Sequence, residues 1–305
     1  MSQYTNLDSA ETMFFQRELE QVKAKSYDVL KVPLKAFELI PVDSTTAPGA
    51  ATVTYEQYDS TGIAKIISNY ADDLPTADVK GKEFTSMIKS IGSSYVYSKN
   101  DIRAAQFAGK PLNQRKANAA VEAHRQLMNK LAFFGDAEYG IQGLLTNSNI
   151  PSAPVVAGAA ATLAWAKKTP DEILKDLNSA VSDMLDLTKG VEVPNTIVMP
   201  IAQYNHIATT ARSANSDTTI LEFFKGNNPG IEVMWATELK GAFAGGTDGF
   251  IVYNRNPDKL WMEIPMMVEM SPAQEKGLSY MVPCESKFGG VIVPYPLSVS
   301  FRRGI

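Results

Sequence analysis

The residues able to carry chemistry are few: two histidines, His124 and His206, one cysteine, Cys284, and the close acid pairs Asp72 with Asp73 and Asp183 with Asp186. A metal or hydrolytic centre needs several such groups within reach of one another. His206 lies in QYNHIA with no acid or cysteine three or four residues away, and His124 is placed on the polar side or flank of a long helical pattern. There is no HExxH, no cysteine pair, no EF-hand loop, no GxSxG elbow, and neither GxxxxGKS nor GxxxxGKT. The inventory therefore points to no cofactor, no metal and no familiar catalytic centre. Cys284, in the apolar context YMVPCES, reads as a small buried residue, and being single it forms no internal disulfide.

Asp183 and Asp186 stand three apart on an amphipathic helix, which suits a solvated face. Asp72 and Asp73 stand with Tyr70, Asp78, Lys80 and Lys82 in a mixed-charge tip between two strand patterns. Such a tip suits solubility and also salt bridges to another chain; the length of the excursion favours the second.

Two glycine-rich stretches remain. GAFAGGTDGF (241–250) runs from a strand into a strand, so it lacks the helix amides that hold a pyrophosphate and reads as a surface hairpin loop. FFGDAEYGIQGLL (133–145) carries Gly135, Gly140 and Gly143. These glycines could cradle an anion or bend the chain. They follow the C-terminus of a helix, where free carbonyls repel anions, so the bend is favoured, with Gly135 as a left-handed cap.

The chain has 305 residues, a formal net charge of −4, and 45% hydrophobic and 20% charged residues, close to an average folded protein. That balance excludes the basic surface of a direct nucleic-acid binder. The longest apolar runs, such as PVVAGAAATLAWA (154–166), fall short of the roughly 20 residues that span a bilayer. The N-terminus lacks the basic start and apolar core of a secretory signal, so folding in a cytoplasm is expected.

The elements that would position these residues follow from periodicity. Over 9–24, Phe15, Leu19 and Val22 form a narrow apolar stripe on a short helix, either a surface helix or a partner-binding arm. Prolines at 33, 41 and 48 predict an extended connector over 30–48. Residues 50–98 read as a long two-stranded excursion with a charged tip; an isolated ribbon is marginal in water, so it must lie on its own domain or on a neighbour. Ser98 and Asp101 fit a capping box ending at Gly109, and residues 111–134 form the longest helix, with Ala120, Ala123, Leu127, Leu131 and Phe134 on its apolar face.

A second helix is capped by Thr169, starts at Pro170 and ends by Gly190, burying Ile173, Leu177, Val181 and Met184. Beyond it, short strands (NTIVMP, IEVMWATE, GFIVYN, KLWMEI) alternate with two helices, and further strands close the chain. The class is α+β, without internal repeats.

The order of these parts, and the pattern G-D-x-x-x-G-I-x-G-L at Gly135, Asp136, Gly140, Ile141, Gly143 and Leu144, resemble the major capsid proteins of tailed bacteriophages, the HK97-type fold. The segments NDIRAAQFAGKPLNQRKANAA and FGGVIVPYPLSVSFRRGI look like the matching pieces of one branch of that family, long catalogued only as a domain of unknown function. The resemblance implies an N-terminal arm (1–49), an extended E-loop (50–98), a P domain (99–192) whose spine helix is 111–134, an A domain (193–265), and C-terminal strands (266–305) returning to both domains. It also implies a structural protein that gathers as pentamers and hexamers around double-stranded DNA held without sequence-specific contact, assembled in a host cytoplasm and located in the virion. On that reading Tyr70, Asp72, Asp73, Asp78, Lys80 and Lys82 form an inter-subunit tip, Phe15, Leu19 and Val22 an arm interface, and Gly135, Gly140 and Gly143 a structural joint.

Separate scaffolding, portal and decoration proteins are compatible partners; no membrane is. Some relatives cross-link an E-loop lysine to a neighbour's asparagine; Lys65, Lys80, Lys82 and Lys89 lie in the right region, but no partner asparagine or assisting glutamate is identifiable, so no cross-link is expected. The rival readings are an encapsulin-like nanocompartment shell enclosing enzyme cargo and, ranked lower, an enzyme with an unrecognised site.

Overall fold

The computed structural model describes residues 31–66, 76–109, 112–213, 215 and 217–305. The chain divides into two units, Met1–Pro33 and Leu34–Ile305, and the fold described below is that of the second. Phe15, Leu19, Val22, Tyr70, Asp72 and Asp73 lie outside the described residues.

Where the sequence predicts an extended connector, Ala36–Leu39 form a short helix, α1. Its Ala36 and Leu39 are fully buried, and the Ala36 amide donates to Asn129 Oδ1 at 2.8 Å. Burial of this apolar turn outweighs the extended bias of the flanking prolines. After β1 (Val42–Asp43), β2 (Thr52–Thr61) and β3 (Asp78–Met87) pair antiparallel from Thr52 with Met87 out to Thr61 with Asp78. The sequence reads 50–98 as one two-stranded excursion. Instead the chain turns at buried Ile88, and β4 (Lys89–Ser98) enters a different sheet.

Ser98 caps α2 (Lys99–Ala108) with Asp101 in a reciprocal box, and Gly109 ends it at φ +62°. The long helix α3 (Leu112–Phe134) extends about 35 Å at 1.5 Å per residue. Then come β5 (Ser152–Pro154), α4 (Pro170–Leu187), β6 (Thr196–Met199), α5 (Ile201–Thr209), α6 (Ile220–Asn227), β7 (Glu232–Trp235), β8 (Gly249–Tyr253), β9 (Trp261–Glu263), β10 (Met266–Met270), β11 (Gln274–Lys276), β12 (Ser279–Phe288), β13 (Val291–Ile292) and β14 (Val299–Arg303).

Five strands form the central sheet in the order β5-β14-β8-β6-β7. Every residue of β6 and β8 is buried, and alternate residues serve opposite cores. Ile197, Met199, Phe250 and Val252 face α4, α5 and α6, while Val198, Ile251 and Tyr253 join a second core with α1 and the C-terminal half of α3. A sheet covered on both faces explains why these strands read as unbroken apolar runs. Because β6 lies between β7 and β8, the glycine-rich stretch 241–250 does not join neighbouring strands; it crosses between them as an exposed loop that closes on itself through an antiparallel bridge of Phe243 with Thr247. A second sheet pairs β12 with β4 on one side and with β10 and β11 on the other; β9 joins β1 and β13 in a third.

The predicted apolar face of α3 is half wrong. Ala120 and Leu131 are buried, but Ala123 is exposed and Leu127 and Phe134 are 40% and 38% exposed. Met128, Ala132 and Phe133 are buried instead, with two polar residues that the pattern leaves outside, His124 and Asn129. Asn129 is drawn in by bonds to α1 and to Glu238 Oε1, the latter at 2.5 Å. His124 is covered by the β4–β12 sheet, whose Ser93 and Ser286 hydroxyls meet its Nε2 and Nδ1 at 2.8 and 2.7 Å.

Candidate assembly surfaces

The end of α3 leaves carbonyls without partners, as any helix C-terminus does. Here they are taken up by the chain that follows: Gly135 N donates to Leu131 O, Leu144 N to Ala132 O and Leu145 N to Phe133 O, each at 2.8 Å. Between them Asp136 and Ile141 exchange two backbone bonds of 2.8 and 2.9 Å. Gly135 has φ +62°, and a Cβ there would strike the Ile141 carbonyl; a Cβ on Gly143 would strike the Gly135 amide. A Cβ on Gly140, at φ +71°, would meet only Met87 Cγ, at an ordinary contact distance of 3.8 Å. Three glycines alike in sequence thus differ: two are in backbone contact and one stands nearly free.

The β2–β3 ribbon has two unlike faces, set by the two-residue period of its strands. On one face Tyr55 stacks on Phe84 at 5.3 Å between centroids and meets Trp261 edge-on at 6.1 Å, which seats the ribbon base on the body. The same face continues outward through Gln57 opposite Lys82, Asp59 opposite Lys80 and Thr61 opposite Asp78. Asp78, Lys80 and Lys82, marked by the sequence, therefore share one face and are exposed. The other face carries Glu56 directly opposite Glu83, and Tyr58 laid across Gly81. The Tyr58 hydroxyl donates to Glu56, whose carboxylate holds the phenol above its usual pKa. A cleft of about 500 Å³, lined by Tyr55, Gln57, Lys82, Phe84, Gly140 and Gln142 among others, separates the ribbon base from the chain after α3.

The β4–β12–β10 sheet is likewise two-sided. Ser93, Cys284 and Ser286 face α3, where burial lowers the His124 pKa and raises that of Cys284. The outer face runs Val96 opposite Met281, Ser94 opposite Pro283, Gly92 opposite Glu285 and Ser90 opposite Lys287; on the far side Glu285 pairs with Glu269. The sequence reading missed this acid pair, whose members are 16 residues apart with no local signal. It also missed Lys168 with Asp176, a fully buried ion pair of 2.5 Å whose carboxylate takes the Trp165 Nε1–H at 2.9 Å. Asp183 is exposed and bonds Arg302 at 2.5 Å.

Several large apolar side chains are left wholly or partly exposed among the described residues. Phe107 on α2 is 97% exposed, Leu278 at the β11–β12 turn 81%, and Leu127 and Phe134 continue the stripe on α3. Among the described residues no cluster of acids, histidines and cysteine could hold a metal ion, and no helix is long and apolar enough to cross a membrane.

No curated protein sequence matches the chain. Among solved structures, it resembles the capsid of the myovirus phage XM1 at TM-score 0.80 and 19% identity, over 96% of this chain and 99% of that one. It also resembles the capsid of an empty GTA particle (TM-score 0.62, 11% identity, 93% and 94% coverage) and a virus-like particle from Pyrococcus furiosus (TM-score 0.54, 11% identity, 87% and 90% coverage). At these identities the likeness is one of fold, a mixed α+β HK97-like architecture over nearly the whole chain. The family model described as major capsid protein matches residues 62–305. That match covers β3 of the ribbon, the long helix with its glycine corner, and the whole central sheet: the chain belongs to the major capsid protein family and is a structural component of a virion shell, not an enzyme.

Proposed function

We propose that copies of this chain gather as pentamers and hexamers into an icosahedral head around double-stranded DNA, and that the ribbon is an arm laid on a neighbouring copy. The observation that carries this is the ribbon itself. Only its base is seated, through Tyr55 on Trp261 and the Ser86 hydroxyl on Gly289 O, and its outer rows are exposed on both faces. A two-stranded ribbon of about 30 Å has too little to bury alone. The net charge of −4 supports a lumen that holds DNA without gripping it. Phe15, Leu19 and Val22 would serve as a second arm contact, and Gly135, Gly140 and Gly143 as the corner that fixes the spine helix in its domain.

The likeness to a virus-like particle supports a second reading, a shell around protein cargo, and the weaker score ranks it behind the phage capsid. Expression of the chain followed by size exclusion and negative-stain imaging tests both. Shells or rings are expected, with nucleic acid or protein inside deciding between them; a persistent monomer under all conditions would sink both. Deleting residues 70–82 is expected to leave a folded subunit by circular dichroism that no longer assembles.

A further inference from the structure

We propose that the outer face of the β4–β12–β10 sheet is the seat for the ribbon of a second copy, with Lys80 and Lys82 of one chain meeting Glu269 and Glu285 of the next. This rests on the shell reading above and names the partner surface that reading lacks.

Glu269 and Glu285 are exposed and directly opposite each other on adjacent antiparallel strands, an arrangement that costs stability in an isolated chain. Among the described residues neither has an ion-pair partner. Gly92, opposite Glu285 on β4, has nothing within 4 Å of where a Cβ would stand, so the third strand leaves the acids open from above. A cation from outside the chain would relieve the repulsion.

The ribbon presents such cations. Lys80 and Lys82 are exposed, lie on one face, and make no ion pair among the described residues; Lys82 rests over Phe84 at 4.8 Å instead. Arg125 and Lys130 on α3 are also exposed, but they stand singly on a helix that packs under the opposite side of this sheet.

The charge order along the two strands matches. Along β3 one face reads Asp78, Lys80, Lys82, with Asp59 of β2 opposite Lys80 but in no ion pair with it, and along the outer face of β12 the rows read Lys287, Glu285, Pro283. Rows on both surfaces repeat every two residues, about 6.6 Å. One register therefore sets Asp78 against Lys287 and Lys80 against the Glu285–Glu269 pair. Lys82, one row further, reaches the same acids with its four-carbon stem. Because the ribbon and the seat are different surfaces of one chain, the contact is head to tail, and each copy both gives and receives it, as a closed ring requires.

Charge reversal tests the pairing. E269K/E285K and K80E/K82E are each expected to lower shell yield about tenfold or more in imaging and sedimentation, with far-UV circular dichroism and melting unchanged. The combined variant E269K/E285K/K80E/K82E is expected to recover assembly. If the paired lysines disturb the sheet, E269Q/E285Q reads the same loss in milder form. Assembly of E269K/E285K or E269Q/E285Q at the level of the unaltered chain would overturn the seat, as would a combined variant no better than its parents. Should deletion of 70–82 abolish shells while Glu269 and Glu285 prove dispensable, the arm reading survives and this seat falls; a chain that never assembles takes both with it.

Discussion

The central sheet with its helices and the β2–β3 ribbon solve opposite problems. In the sheet, β6 and β8 are buried on both sides, and α4 places Ile173, Leu177, Ala180 and Val181 against them with a complete capping box at Thr169. Each of the isoleucine, leucine and valine side chains contributes about 1.5–3 kcal/mol on burial. In the ribbon, the edge contact of Tyr55 with Trp261 and the bond from Ser86 to Gly289 O anchor the base, and the outer rows are exposed. The first region is stable on its own account; the second is stable in company. Stability and assembly are thus carried by different residues, and substitutions should separate them.

The largest effect is expected from Lys168→Met. It leaves the Asp176 carboxylate buried with Trp165 as its remaining side-chain donor and should cost about 3–5 kcal/mol in denaturant unfolding. A loss near zero would mean that the sheet region is not the rigid half of this comparison.

A pH dependence should come next, from the β4–β12 sheet that lies outside both regions. Burial holds the His124 pKa below its ordinary value of 6.5. The imidazole is therefore neutral in the folded chain, and the unfolded chain takes up the proton first as pH falls. The His124 contribution is fully present above about pH 6.5 and is lost progressively below it, toward the folded-state pKa. Melting temperature measured from pH 8 to 5 should fall on the acid side, and His124→Gln should flatten that slope; an unchanged slope would remove His124 as its source.

The smallest effect on stability, and the sharpest contrast, is expected from Leu127→Ser and Phe107→Ser. Phe107→Ser should stay within about 0.5 kcal/mol of the unaltered chain in denaturant titrations of the unassembled subunit, and Leu127→Ser, whose side chain is partly covered, within about 1.5 kcal/mol. Shell yield should nonetheless drop. A subunit destabilised by more than that would mean these side chains serve the fold, not the contact.

What could be read in advance follows the same division. The helix α4 was legible because cap, proline, periodicity and terminator all lie within one stretch of chain. The length of α3 was legible for that reason, and its buried face was not. His124 and Asn129 are drawn inside by Ser93, Ser286 and Ala36, partners 31, 162 and 93 residues away, and Leu127 and Phe134 are left outside. A periodic pattern reports which residues prefer burial, not whether the cover comes from the same chain. The common face of Asp78, Lys80 and Lys82 was implicit in their spacing, whereas Glu269 and Glu285 needed the register of β10 on β12, with its irregularity between Met266 and Glu269.

The corner after α3 has a consequence for sequence variation. Gly135 and Gly143 exclude side chains from each other's backbone, so no single substitution at either can be offset by a change at the other. Gly140 needs only left-handed backbone, which asparagine also adopts. A library randomised at all three would return two fixed positions and one permissive one. The tolerance of this corner is therefore decided by contact between backbones and not by the number of glycines it contains.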